Sequence, residues 1–175
     1  MTNRYQGLGV VLAYPENWQL TEDFEGNSVI GFQLQSPTTA FMAVYRYPWT
    51  TTPSEAIAEA KLAIVADYDD VESIPADPPD VLDTLDALLD CQAHELNFYY
   101  LDLLVNIRLV AFSTPQWTYL IQFQAEDSDF KQLDRVFDAL LFSLAQSIQN
   151  APAEVESLLS TEELGDPSEQ ENGPN

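Results

Sequence analysis

Apolar residues recur along this chain at two spacings, and the change from one to the other marks its elements. Leu8 through Tyr14 is an apolar, β-compatible run that Pro15 ends at a turn before Trp18. Val29 to Ser36 and Ala40 to Tyr47 then alternate. Ile30, Phe32 and Leu34 share one face of the first run; Phe41, Ala43, Tyr45 and Tyr47 share one face of the second, with Met42, Val44 and Arg46 on the other. Pro37, Thr38 and Thr39 suit a short connection between them. Near Ser54 the spacing lengthens to that of a helix. Ser54 is the predicted cap, with Pro53 just outside, Glu55 in the first turn, and Ile57, Ala60, Ile64 and Tyr68 on one face of a helix through Asp67. Asp69 to Asp80 has no periodicity and contains Pro75, Pro78 and Pro79, so it reads as a surface connection. Asp80 is then placed to cap a short helix carrying Leu82, Leu85, Leu88 and Leu89.

Three more strands are expected at Gln92 to Tyr100, Leu103 to Ser113 and Gln116 to Ala125. In the middle one Leu103, Val105, Ile107, Leu109 and Ala111 line one face, while Leu104, Val110 and Phe112 add apolar material to the other. That pattern predicts an interior strand covered on both sides. Ser128 is the predicted cap of a terminal helix whose stripe is Phe130, Leu133, Phe137, Leu140, Leu141, Leu144 and Ile148.

A length of 175 residues with 46% hydrophobic content suits one globular domain, set at residues 1–149. Residues 150–175 hold seven acidic and no basic residues among prolines and glycines, and are expected to be a mostly disordered acidic tail. The whole chain carries 29 Asp and Glu against 6 Lys and Arg, a formal charge of −23. Such a field repels phosphate backbones, which argues against nucleic acid as a partner. No apolar run is long enough to span a bilayer and no signal-peptide pattern opens the chain, so a cytoplasmic location is expected.

The chemistry-bearing residues are few. His94 shares its strand face with Leu96 and Phe98, the setting of a structural histidine, and Cys91 falls on the opposite face, which argues against a Cys/His nucleophilic pair. Asp67, Asp69, Asp70, Glu72, Asp77, Asp80, Asp83, Asp86 and Asp90 form the densest acidic stretch, with no positive charge between them. Asp67, Asp69 and Glu72 are the candidate oxygen ligands for calcium, although the stretch lacks the glycine and distal glutamate of an EF-hand loop. No other cofactor is implied: phosphate-loop, dinucleotide and nucleophile-elbow motifs are missing from the sequence. Paired carboxylates would support a hydrolase only if they converge in a pocket. Aromatic residues point instead to binding. Trp18, Trp49, Tyr99, Trp117 and Tyr119 are the candidate lining of an apolar peptide groove, with Trp49 the expected exposed member at a strand exit.

GVVLAYPENW near the N-terminus, the strand pair, the helix near Ser54, the three later strands and the closing FDALLFSL helix together resemble the PsbP/DcrB superfamily over Leu8 to Ser147. That resemblance implies an α+β fold, a mainly antiparallel β-sheet flanked by helices as an α/β/α sandwich. Because its members include photosystem accessory proteins, Ran-binding proteins and secretion chaperones, it also implies a non-enzymatic adaptor or assembly factor whose partner is a protein or peptide. A carboxylate-based hydrolase and a structural or regulatory subunit are the alternatives.

Overall fold

The computed structural model describes residues 1–151, and the remainder of the expected acidic tail lies outside the described residues. The strands are β1 (Thr2–Gly7), β2 (Val10–Pro15), β3 (Gln19–Glu25), β4 (Ser28–Gln35), β5 (Phe41–Pro48), β6 (Glu72–Ala76), β7 (Leu89–Tyr100), β8 (Leu103–Ser113) and β9 (Trp117–Glu126). The helices are α1 (Pro53–Asp67) and α2 (Asp127–Gln149). Seven strands form one antiparallel sheet in the order β3-β4-β5-β9-β8-β7-β6, and β1 and β2 form a separate hairpin. Helix α1 covers one face. Its Ala56, Ile57 and Ile64 pack on Leu96, Phe98, Ile107, Leu109 and Leu120. Helix α2 and the β1–β2 hairpin cover the other, where Phe137, Leu141 and Leu144 join Leu12, Phe32, Val44, Phe112, Ile121 and Phe123. This is an α+β fold with two helix-covered sheet faces, and β8 has the interior place its two-sided apolar pattern predicts.

Several local expectations change. Leu8 is not a strand residue; with Gly9 it forms the two-residue turn between β1 and β2, both at positive φ. The αL strain at Leu8 is offset because its side chain is 6% exposed and its carbonyl accepts the Tyr119 hydroxyl at 2.8 Å. Ile30 leaves the face of Phe32 and Leu34 because the β3–β4 register slips there, pairing Asp23 with Gly31 but Phe24 with Val29. Thr52, not Ser54, caps α1: its hydroxyl accepts the Glu55 N–H and Glu55 accepts the Thr52 N–H at 2.8 Å, a capping box with Pro53 inside the first turn. Glu126 rather than Ser128 caps α2, and Asp129 accepts the Thr39 N–H and hydroxyl, tying the β4–β5 loop to the helix. The expected connection at Asp69 to Asp80 contains edge strand β6, Pro75 included.

Candidate binding site

From Asp80 to Leu88 the chain reads Asp-Val-Leu, Asp-Thr-Leu, Asp-Ala-Leu, three copies of one three-residue pattern. The expected short α-helix is a 3₁₀ turn at Asp80–Leu82 followed by further i to i+3 closures, with N–H groups of Leu82, Asp83, Leu85 and Leu88 donating to the carbonyls of Pro79, Asp80, Leu82 and Leu85. A period of three in sequence matches a period of three in backbone. Leu82, Leu85 and Leu88 therefore all turn inward and are buried, while Asp80, Asp83 and Asp86 stand exposed in a row. In an ideal 3₁₀ helix, residues three apart are separated by about 6 Å of axial rise, three residues at ~2 Å each. A hollow of ≈530 Å³ opens here, rimmed by these three carboxylates and Asp77, with the leucines and Cys91 in its lining. Among the described residues no salt bridge engages any of the four rim carboxylates.

Cys91 is half-buried and packs on the α2 side of the sheet. Burial, then the charges of Asp90 and Asp83, pushes its thiol above the ordinary range, the opposite of the shift that activates a thiolate. His94 lies on the other face, where its Nε2 is 3.1 Å from Lys61 Nζ and 2.6 Å from Ser73 Oγ. An ammonium only donates, so Nε2 accepts and the ring proton sits on Nδ1. Partial burial and then Lys61 hold the imidazole below its usual pKa. Ser73 is the serine that the sequence did not single out, because β6 and β7 bring it to His94 from 21 residues away. The geometry resembles a nucleophile and base, but an imidazolium formed by proton abstraction would lie 3.1 Å from an ammonium. The contact is a clip for the edge strand.

Carboxylates also converge at Arg108, which lies 3.1 Å from Asp134, 3.7 Å from Glu95 and 3.8 Å from Asp138. Burial, then Asp134, raises the Asp138 carboxyl, and Arg108 works against that shift. A guanidinium between the acids makes this an ion-pair network tying β7 and β8 to α2.

The five aromatic candidates do not meet in one groove. Trp18 is buried edge-on against Phe137, and Tyr119 is buried beneath the β1–β2 turn. Trp117 is half-buried under Arg46, whose guanidinium carbon is 3.9 Å from the ring centroid. Trp49, 66% exposed, follows β5, whereas Tyr99, 73% exposed, lies near the distal end of β7. The ladder pairings place those two at opposite ends of the sheet. Asp67, Asp69 and Glu72 are exposed around the α1–β6 connection, and among the described residues no group of three or more His, Cys, Asp or Glu side chains is placed to hold a metal ion.

No protein-family model and no curated protein matches the sequence. Solved structures do. Cyanobacterial PsbP (CyanoP) from Synechocystis sp. PCC 6803 superposes with a TM-score of 0.51 at 11% identity over 81% of this chain and 90% of that one. A protein from Bacteroides thetaiotaomicron VPI-5482 gives 0.50 at 14% identity over 81% of this chain, which spans only 47% of that protein. At such identities the likeness is one of architecture: the chain shares the α/β/α sandwich arrangement of the PsbP-like fold.

Proposed function

We propose that this is a non-enzymatic protein-binding domain, an adaptor or assembly factor, that seats a basic and partly apolar segment of a partner protein in the hollow between Asp77 and Cys91. The observation that carries the reading is the row of Asp80, Asp83 and Asp86 above a leucine floor. Lysine and arginine have the matching form: an apolar stem to lie on leucine and a charged head to reach a carboxylate. Alternate side chains of an extended strand project about 6.6–6.8 Å apart, close to the ~6 Å that three residues of ideal 3₁₀ rise would set between the aspartates. An extended segment with Lys or Arg at every second position therefore meets the row in register. The PsbP/DcrB resemblance points to the same class of role.

Each exposed ion pair contributes roughly 0.2–1 kcal/mol, so three pairs account for about 3- to 150-fold in affinity. Titration calorimetry with an extended peptide carrying lysine at alternate positions tests this, against a shuffled peptide of equal composition. The ordered peptide is expected to bind more tightly, to weaken as salt rises, and to lose most affinity to the triple variant D80N/D83N/D86N. Equal binding by the two peptides, or by the variant and the unmodified chain, would refute the site.

A further inference from the structure

The hairpin between β7 and β8 ends in Tyr99, Tyr100, Leu101, Asp102 and Leu103, and its four large apolar side chains are all at least half exposed. Tyr100 pairs with Leu103, leaving Leu101 and Asp102 as a two-residue turn at φ 48° and 65°. Positive φ at both positions is the geometry of a type I′ turn, for which Asn-Gly is the preferred pair and leucine a strained choice. The β1–β2 turn also holds a leucine at positive φ, but there the side chain is buried; Leu101 is 80% exposed and, among the described residues, belongs to no core cluster that would offset its strain. Strain kept at an exposed apolar tip points to a use outside the domain.

We infer that this tip is a second docking surface, one that inserts into an apolar pocket rimmed by lysine and arginine on a partner protein. The inference is independent of the aspartate hollow. Charge selects the occupant. Asp102 sits in the turn itself, and Asp67, Asp69 and Asp70 flank Tyr68, whose ring meets Tyr100 edge-on at 5.8 Å. A second copy would bring the same carboxylates and a charge of −23 against them, and an anionic membrane surface is repelled in the same way. The tip exposes on the order of 500 Å², divided between the two strand faces because Tyr99 and Tyr100 alternate, within the range of the largest patch on a typical monomer and below the ~800 Å² that each side of a standard interface supplies. It therefore forms the buried centre of an interface completed by the charged rim. The hollow adjoins the start of β7 and the tip its end, roughly 35–40 Å apart for a strand of this length, so one domain can hold two partners at once.

The test places p-benzoylphenylalanine at position 101 of the full chain, photolyses it in the native host, and purifies the crosslinked protein. That protein is titrated with the unmodified chain, with L101N/D102G and with D80N/D83N/D86N. The expected result is a crosslink mapping to an apolar pocket flanked by Lys or Arg, equal binding by the unmodified and triple-aspartate chains, and at least about tenfold weaker binding by L101N/D102G without a fall in melting temperature. Crosslinks confined to copies of the chain or to lipid, flotation with zwitterionic phosphatidylcholine vesicles, or unchanged affinity of L101N/D102G would overturn the inference. Loss of binding only in the aspartate variant would overturn it too, while supporting the hollow.

Discussion

Replacing Leu101 and Asp102 by Asn and Gly is expected to stabilise the domain, although it removes an apolar side chain. A leucine in the left-handed region carries about 1–2 kcal/mol of strain, which Asn largely escapes. The loss on the other side is small: a fully buried leucine contributes about 1.5–3 kcal/mol, and Leu101 is 80% exposed, so roughly a fifth of that is at stake. The Asp102→Gly change relieves its own positive φ but returns some entropy to the unfolded chain, about 0.5–1 kcal/mol, and is close to neutral. The sum is about +1 kcal/mol, or roughly 2–4 °C in Tm for a domain of this size. Leu8 supplies the control. It has nearly the same φ, 53°, but is 6% exposed, so Leu8→Asn forfeits almost the whole burial contribution and is expected to destabilise by about 1–3 kcal/mol. Paired urea melts read both values. A destabilised L101N/D102G, or the same sign at both turns, would refute the strain argument.

Acidification supplies a second check. His94 is held below its unfolded pKa, so the unfolded state takes up the proton first and stability falls as pH drops below about 6.5; His94→Gln should flatten that part of the pH–Tm curve. Asp129 has the opposite behaviour. The Thr39 hydroxyl and then its backbone N–H hold the carboxyl low, so its contribution is present above the ordinary aspartate pKa and lost as pH falls through the lower folded value; Asp129→Asn at neutral pH should cost about 1 kcal/mol, discounted for exposure, in a chemical melt. Ser73 should not react with a fluorophosphonate probe above background, and labelling abolished by Ser73→Ala would revive a hydrolase. Gly31→Ala should lower Tm, because a Cβ there would lie 2.6 Å from the Tyr45 ring and 2.7 Å from the Val44 carbonyl; an unchanged Tm would show that the Tyr45 ring yields freely.

How legible the fold was depends on how each element is buried. Strands β8 and β9 and helix α2 meet the core along whole faces, so their apolar periodicity stands out in the sequence. Strands β1 and β3 are mostly polar, as in Thr-Asn-Arg at Thr2 to Arg4 or Thr-Glu-Asp at Thr21 to Asp23, and β6 is five residues long and holds a proline; they lie in a peripheral hairpin or at sheet edges and take their register from a neighbour. Local patterning cannot record that. The same is true of the Ser73–His94 contact, which a strand pairing creates. The Asp-x-Leu repeat is contiguous in the sequence, but its period of three belongs to 3₁₀ closures, and the short helix expected there does not form beyond Leu82. Aromatic residues misled for a simpler reason. Trp18 and Tyr119 are apolar enough to be claimed by the core before any ligand.

The two ends of the large sheet have a consequence for solubility. Strand β3 borders solvent with Glu22, Asp23, Glu25 and a register slip, and β6 borders it with Glu72 and with Pro75, which has no N–H to offer. Charge, a bulge and proline are the devices that stop one sheet from templating another. Both edges of the seven-stranded sheet are thus guarded against pairing with another strand. Partners must be recognised through side chains, since the molecule discourages recruitment by strand addition.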